Sequence, residues 1–126
     1  MKTKNPLEAR DAEDAEVPAF LKVPSRPGGG DIECAVYPPL LNGPGARPGL
    51  IVHLYGSSGS CRAYNLMRPP YARLRRLLRE RGFWLVVPDL GGSHWMNPAA
   101  CQALDAVIGA WIHARGVHPA RVHLLG

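Results

Sequence analysis

The clearest strand signal in the sequence is LIVHLY at positions 50–55, followed at once by the polar loop GSSGS at positions 56–60. A near-continuous apolar run of this length, ended by glycine and serine, is typical of a strand that is buried on both faces of a parallel sheet. In open α/β sheets, ligands gather at the carboxyl ends of such strands. Residues 50–60 therefore predict a central strand that leads into a functional loop.

Three further stretches predict strands on either side of this one. Positions 32–37 alternate apolar with less apolar residues and end at Pro38-Pro39, which is the pattern of a half-buried strand. Phe83–Val87 and Val122–Leu125 are short apolar runs, and both predict buried strands.

Two helices are predicted between these strands. The first runs from Pro69-Pro70 to Gly82, and the second from Asn97-Pro98 to Gly116. In each, proline suits the first helical position and glycine suits the cap after the last. The apolar stripe of the first helix consists of Tyr71, Leu74, Leu77 and Leu78. We expect that stripe to face the sheet and the arginines around it to face solvent.

The order strand, helix, strand, helix, strand indicates the fold class. Helical crossovers join parallel strands through right-handed connections and cover both faces of the sheet. We therefore predict an α/β fold, a three-layer sandwich around a mostly parallel sheet, over residues 31–126. Residues 1–30 are rich in acidic residues, proline and glycine, and this composition predicts a flexible leader.

Composition excludes several classes of protein. A length of 126 residues with 46% hydrophobic and 20% charged residues suits one globular domain. No stretch approaches the ~20 apolar residues of a membrane span, and no apolar signal segment follows Met1. The three cysteines lack metal-ligand or redox spacing. These features predict a cytoplasmic protein with no metal site and no membrane contact.

The loop at positions 56–60 has a chemical interpretation and a structural one. Glycines after a buried strand let the backbone turn sharply and aim N–H groups into a cavity, which suits an oxyanion or a phosphate. The structural interpretation is a plain connection from strand to helix. A P-loop ends in lysine followed by serine or threonine, and a dinucleotide fingerprint has three glycines; neither pattern is present. The loop therefore favours an oxyanion, and no cofactor is predicted.

From about Leu50 to Gly126 the order of elements resembles the N-terminal half of an α/β-hydrolase. Tyr55-Gly56-Ser57-Ser58-Gly59 is similar to the loop that reads His-Gly-x-x-Gly or Tyr-Gly in that family, and Pro88-Asp89 is similar to the end of its next strand. Arg121–Gly126 resembles the strand that runs into the Gly-x-Ser-x-Gly nucleophile elbow. The resemblance implies an incomplete α/β-hydrolase fold, and we expect the nucleophile to follow Gly126 in a longer parent protein.

The resemblance also implies roles for residues of this loop. Ser57 supplies a backbone N–H to the oxyanion hole, and the second donor is the residue after the nucleophile. Tyr55 either donates its hydroxyl to the oxyanion, as in the prolyl-oligopeptidase-like branch of the family, or is structural. Gly56 and Ser58 lie beside these residues and are expected to bind substrate.

The loop after the next strand carries the remaining candidates. The resemblance puts His94 and Trp95 at the mouth of the active site, within reach of substrate. The acid of this family follows the nucleophile in the chain order Ser, Asp or Glu, His. We therefore expect Asp89 to hold loop backbone and the five histidines to have no triad role. Cys61 has no identifiable base beside it and is expected to be a small buried side chain.

The parent protein implied by the resemblance is a serine hydrolase that acts on a small-molecule ester, and less readily on peptide or amide bonds. The 126 residues carry the predicted oxyanion loop but not the serine, acid and histidine of the triad. The isolated chain is therefore expected to be inactive. In the strand order of the family the last of these strands lies in the middle of the sheet. Val122–Leu125 is therefore expected to form an exposed apolar edge that self-associates.

Two other functions stay open. A small α/β binding module could contact an acidic partner such as RNA, because the net charge is +5 and the first helix is rich in arginine. Those arginines are Arg73, Arg75, Arg76, Arg79 and Arg81. No RNA-binding signature or aromatic platform accompanies them, which disfavours nucleic acid. A carbonyl-reducing enzyme on a related sheet is the weakest alternative, because it would need the dinucleotide fingerprint that is absent.

Overall fold

Five strands and two helices make up the part of the chain that the computed structural model describes, which comprises residues 18–24, 30–41, 47–54, 71–90 and 97–125. In chain order the elements are β1 (Ala19–Pro24), β2 (Asp31–Tyr37), β3 (Gly49–His53), α1 (Tyr71–Glu80), β4 (Phe83–Pro88), α2 (Pro98–Arg115), a short 3₁₀ turn (Pro119–Arg121) and β5 (Val122–Leu125). The predicted alternation of strands and helices after position 49 is confirmed.

The strands form one mixed sheet in the order β1-β2-β4-β3-β5. β3 pairs in parallel with β4 and with β5, which confirms the parallel part of the prediction. β2 pairs antiparallel with β1 and with β4. The connection from β1 to β2 is short, and a short connection suits antiparallel neighbours, whereas parallel neighbours need a longer crossover.

One helix covers each face of the sheet, so the predicted three-layer α/β architecture is confirmed. Leu50 and Val52 of β3 belong to a core cluster with Val107 and Trp111 of α2. Ile51, between them, belongs to a second cluster on the side of α1. Side chains of a strand alternate between the two faces, and all five residues of β3 are buried. β3 is therefore a central strand buried on both faces, as its apolar run predicts.

α2 begins and ends where the sequence predicts. The Asn97 side chain accepts a hydrogen bond from the backbone N–H of Ala100 at 2.9 Å, which satisfies one of the free donors of the first turn. Gly116 adopts a left-handed conformation with φ of 69°, which ends the helix at little steric cost. These caps set the direction in which the chain returns to β5.

α1 spans the predicted residues, but it faces the sheet differently from the expectation. Leu74 and Leu77 are 39% and 47% exposed, whereas Arg75 is only 2% exposed. The guanidinium of Arg75 lies 4.7 Å from the centre of the Tyr37 ring, a contact that stabilises a cation removed from water. Leu78 packs inward as expected. The prediction of an inward apolar stripe and outward arginines is therefore wrong at Leu74, Leu77 and Arg75.

β1 occupies six of the residues that composition assigns to the leader. It pairs with β2 from Ala19 opposite Val36 to Pro24 opposite Asp31. Val23 is buried in the larger core cluster, and Leu21 packs against that cluster. The alternation of these apolar side chains over a few residues gives a strand one apolar face, which the average composition of a longer segment hides.

β5 is an edge strand among the described strands. It pairs with β3 alone, and its outer residues His123 and Leu124 are exposed, Leu124 by 55%. The prediction of a fully buried strand is therefore wrong at these two positions, because a strand with one neighbour leaves one side open. The expected apolar edge is present in the described sheet, and its self-association stays a prediction.

No helix in the described part of the chain is long and apolar enough to cross a bilayer.

Candidate functional site

The carboxyl ends of β3, β4 and β5 meet at one edge of the sheet. Val52 stands beside Val86 of β4, and His53 stands beside Leu125 of β5. All three strands run in the same direction, so the residues that follow each of them leave the sheet on the same side. We call this edge the strand-end site; its described members are His53, Leu54, Asp89, Leu90 and Leu125.

Leu54 closes the gap between β3 and β5 at the strand-end site. Its backbone N–H donates to the carbonyl oxygen of Leu125 at 2.7 Å. This is a short N–H to O hydrogen bond, and it prolongs the parallel pairing by one residue past the end of β3. The residue before the predicted oxyanion loop is thus held directly against the end of β5.

His53 is the buried titratable group of the strand-end site. Its side chain is 7% exposed, and burial lowers the pKa of its imidazole because the charged form loses hydration. The ring is therefore neutral at pH 7. The sequence interpretation gave the histidines no role, although one signal was available: His53 is the single polar residue before Tyr55 in an otherwise aliphatic run.

Asp89 is held at the end of β4 through its backbone. Its N–H donates to the carbonyl oxygen of Glu33 in β2 at 2.8 Å. The hydrogen bond continues the pairing of β2 with β4 past Pro88, which lies opposite Cys34. The expected contact of the Asp89 carboxylate with loop backbone stays a prediction.

The residues with predicted catalytic and substrate-binding roles lie outside the described residues. They are Tyr55, Gly56, Ser57, Ser58, His94 and Trp95. Cys61 lies outside them as well. The structure does show where the two stretches begin. One stretch follows Leu54 after β3, the other follows Leu90 after β4, and these strands are neighbours in the sheet.

Three histidines lie away from the strand-end site. His118 precedes the 3₁₀ turn, where its Nδ1 accepts the N–H of Ala120 at 3.0 Å. His123 lies within β5, and its ring centre is 5.9 Å from that of Phe83. His113 is exposed near the end of α2. That these histidines take no part in a triad stays a prediction. Within the described ranges, no group of three or more His, Cys, Asp or Glu residues is placed to hold a metal ion.

Three arginines of α1 make contacts within the fold. Arg75 is buried, and Arg79 donates to the carbonyl oxygen of Pro38 at 2.7 Å. Burial lowers the pKa of the Arg79 guanidinium. Arg76 pairs with Glu80 at 3.2 Å. Three of the five arginines on which the RNA-binding alternative depends therefore have partners within the fold, and that alternative stays a prediction.

The chain is similar to solved structures, although its sequence matches no family model. No protein-family model and no curated protein matches the sequence. The structure is similar to that of a thermophilic carboxylesterase cloned from a metagenomic library, with a TM-score of 0.58 and 20% identity over 96% of this chain and 44% of that one.

Two further solved structures show the same similarity. A mutant of an α/β-hydrolase enzyme from the metagenome of Lake Arreo gives a TM-score of 0.56 and 19% identity, over 93% of this chain and 39% of that one. The acylaminoacyl peptidase of Pyrococcus horikoshii gives a TM-score of 0.63 and 11% identity, over 98% of this chain and 21% of that one.

These similarities show the fold. The chain has part of an α/β-hydrolase fold, which confirms the resemblance seen in the sequence. It spans less than half the length of each of these structures. Identities this low do not transfer a substrate, since one fold supports many functions.

Proposed function

We propose that this chain forms the oxyanion side of a serine hydrolase active site that acts on esters, and less readily on peptide or amide bonds. The observation that carries the proposal is the hydrogen bond from Leu54 to Leu125. It brings the residue before Tyr55-Gly56-Ser57 beside the end of the strand that resembles the approach to a nucleophile elbow. An oxyanion hole needs its donors within about 3 Å of the reacting oxygen, so the two loops must begin close together.

The chemistry proposed for this site is acyl transfer. A serine after Gly126 attacks the ester carbonyl, a later histidine takes the proton of that serine, and a later acid orients the histidine. The carbonyl oxygen becomes negatively charged in the tetrahedral intermediate. The backbone N–H of Ser57 donates to that oxygen, and the residue after the nucleophile supplies the second N–H.

Tyr55 has two possible contributions within this proposal. Either its hydroxyl donates to the oxyanion, or its ring shapes the start of the loop. Loss of one oxyanion donor typically lowers kcat by about 10²–10³, so the two alternatives differ measurably. A Tyr55→Phe variant that keeps its kcat would assign the ring a structural role.

Substrate contacts are proposed for four residues around these donors. Gly56 and Ser58 flank Ser57 in the sequence, and His94 with Trp95 follows the neighbouring strand β4. Both loops leave the same edge of the sheet, as active-site loops do in open α/β folds. The expected substrate is a small ester, because carboxylesterases are among the solved structures of similar fold.

A reducing, cytoplasmic compartment is part of the proposal. Neither of the two described cysteines, buried Cys34 and exposed Cys101, forms a disulfide. Disulfides form mainly in oxidising compartments, so cysteines outside disulfides suit a reducing one.

The test is to extend the chain through its own reading frame and compare it with the 126-residue chain. We expect the extended protein to hydrolyse p-nitrophenyl butyrate and to react with a fluorophosphonate probe, and the shorter chain to do neither. Serine-type turnover by the purified shorter chain, or a stop codon directly after Gly126, would contradict the proposal.

A further inference from the structure

α1 exposes two leucines on the side that faces away from the sheet. Leu74 and Leu77 are 39% and 47% exposed, and Arg73 and Arg81 are exposed as well. The backbone N–H of Arg81 donates to the carbonyl oxygen of Leu77 at 3.1 Å, so Arg81 continues the last turn. At 3.6 residues per turn the four side chains fall within about 100° of the helix circumference, opposite the buried Arg75. We call these four residues the α1 outer face.

The α1 outer face combines apolar surface with positive charge. Among the described residues, neither Arg73 nor Arg81 forms an ion pair, whereas Arg76 of the same helix pairs with Glu80. Guanidinium groups bind carboxylates through charge-assisted hydrogen bonds, and exposed leucine side chains favour contact with apolar groups. The surface therefore suits a partner that offers carboxylates and apolar side chains together.

The chain itself contains a segment of this composition. Residues 7–17 read LEARDAEDAEV, which places five of the ten acidic residues of the chain in one short stretch with a single arginine. The acidic residues are Glu8, Asp11, Glu13, Asp14 and Glu16, and apolar residues stand between them and at both ends. We call residues 7–17 the acidic segment; it lies outside the described residues. The whole chain has a net charge of +5, so this segment is the main source of negative charge for a basic body.

The acidic segment joins the described structure close to α1. Ala19, the first residue of β1, stands opposite Val36 of β2. The next residue of β2 is Tyr37, whose ring centre lies 5.7 Å from the guanidinium of Arg79 in α1. At about 3.3 Å per residue, the ten residues from position 8 to position 17 can reach about 33 Å. α1 has 10 residues and is about 15 Å long, so the segment can reach along its whole length.

We propose that the acidic segment docks on the α1 outer face of the same molecule. Its carboxylates pair with Arg73 and Arg81, and its apolar side chains cover Leu74 and Leu77. One exposed ion pair contributes a factor of at most about five, but the tether through β1 gives the segment an effective concentration in the millimolar range. Weak pairing is therefore enough to populate the docked state, which keeps other acidic partners off this surface. The proposal is independent of the hydrolase activity, since it uses no residue of the strand-end site.

The direct test is zero-length cross-linking of the 126-residue chain. A carbodiimide couples a carboxylate to a lysine amine in contact with it, so Arg81→Lys places a reactive group on the α1 outer face. We expect peptide mass spectrometry of the monomer band to show position 81 joined to an acidic residue of positions 7–17. Arg115→Lys is the matched control, because Arg115 is exposed on the helix that covers the other face of the sheet. It should give no cross-link to the acidic segment.

A second measurement follows the backbone amide signals of α1 in ¹⁵N spectra. The wild type is compared with a neutralised variant that combines Glu13→Gln, Asp14→Asn and Glu16→Gln. We expect the signals of Leu74 and Leu77 to differ between the two proteins at about 10 mM salt and to coincide at about 1 M, because the Debye length falls from about 30 Å to about 3 Å. Asp105→Asn removes an exposed carboxylate of α2 and should leave these signals unchanged.

Three outcomes would overturn the proposal. No cross-link in Arg81→Lys, or an equal yield in Arg115→Lys, means that the acidic segment does not rest on α1. Cross-links found in the dimer band alone mean that the segment docks on a second copy of the chain. Signals of α1 that ignore the neutralised variant but shift on addition of oligouridine mean that the α1 outer face is open to nucleic acid.

Discussion

The backbone N–H of Leu54 lies 2.7 Å from the carbonyl oxygen of Leu125 and donates to it. Leu54 precedes Tyr55 and Leu125 precedes Gly126, so one hydrogen bond sets the separation at which two loops leave the sheet. In the proposed hydrolase, one of these loops carries an oxyanion donor and the other carries the nucleophile. The contact is made by backbone atoms alone, and it therefore depends on the register of β3 with β5 more than on any side chain.

Substitution of Gly49 should destabilise the fold. A Cβ added at Gly49 would collide with the ring of Phe83 and lie 3.1 Å from the carbonyl oxygen of Arg121. We expect Gly49→Ala to lower the free energy of unfolding by about 1–3 kcal/mol, the usual cost of overpacking. Gly109→Ala is the matched control, because a Cβ there meets nothing within 4 Å and alanine suits a helix interior better by about 1 kcal/mol. Urea unfolding of both variants measures the difference; a Gly49→Ala variant as stable as the wild type would contradict the close packing of β3 on Phe83.

The chain should become less stable as the pH is lowered, because the imidazole of His53 is buried. Burial lowers the pKa of His53 in the folded chain, while the unfolded chain keeps the ordinary value of about 6.5. Below pH 6.5 the unfolded state therefore binds more protons, and the free energy of unfolding falls by at most about 1.4 kcal/mol per pH unit until the lowered pKa is reached. The full contribution is present above pH 6.5. His53→Gln should flatten this slope in urea titrations between pH 7 and 5, whereas His113→Gln, at an exposed position, should leave it unchanged. Equal slopes for the wild type and His53→Gln would show that the imidazole is hydrated in the folded state.

Arg75 should contribute to stability as a packed side chain. It is 2% exposed and lies over the Tyr37 ring, and a desolvated cation–aromatic contact is worth about 2 kcal/mol. We expect Arg75→Ala to cost about 2–3 kcal/mol, because it removes this contact and leaves a cavity. Arg73→Ala, at an exposed position of the same helix, should change the free energy of unfolding by less than about 0.5 kcal/mol. Thermal unfolding of the two variants tests the orientation of α1, and similar costs for both would contradict it.

The edge strand β5 should make the isolated chain associate. Leu124 is 55% exposed on a strand that pairs with one neighbour among the described strands, and an apolar edge favours strand pairing between copies. Leu124→Lys should shift the chain toward the monomer in sedimentation-velocity experiments. Leu41→Lys is the matched control, since Leu41 is 63% exposed but belongs to no strand. Equal effects of the two substitutions would mean that exposed leucines in general, and not the edge of β5, drive association.

The sequence predicts the elements whose signals are local. LIVHLY at positions 50–55 is apolar throughout apart from His53 and Tyr55, so a strand buried on both faces follows from the pattern alone. Asn97 and Gly116 predict the ends of α2 in the same way. Each cap depends on one residue, a side-chain acceptor at the start of the helix and a left-handed glycine after its end. The α/β fold class then follows from the order of these elements.

Other features depend on contacts that no local pattern contains. Arg75 follows the spacing of the apolar stripe, four residues after Tyr71 and three before Leu78. Its charge nevertheless predicts that the side chain is exposed to solvent. It is buried because Tyr37, distant in the sequence, offers a ring to its guanidinium. β1 was missed because its edge pairing with β2 needs only Leu21 and Val23 on one face. Four residues with predicted roles lie outside the described residues, namely Tyr55, Ser57, His94 and Trp95. Their roles therefore stay predictions.

The most direct measurement of the proposed function is kcat for two variants of the extended, full-length protein, Ser57→Pro and Ser57→Ala, on p-nitrophenyl butyrate. Proline has no backbone N–H, so Ser57→Pro should lower kcat by about 10²–10³. Ser57→Ala keeps the N–H and should retain kcat within a few-fold. A Ser57→Pro protein that is folded and as active as Ser57→Ala would show that the N–H of Ser57 does not stabilise the oxyanion, and would contradict the proposed role of this loop.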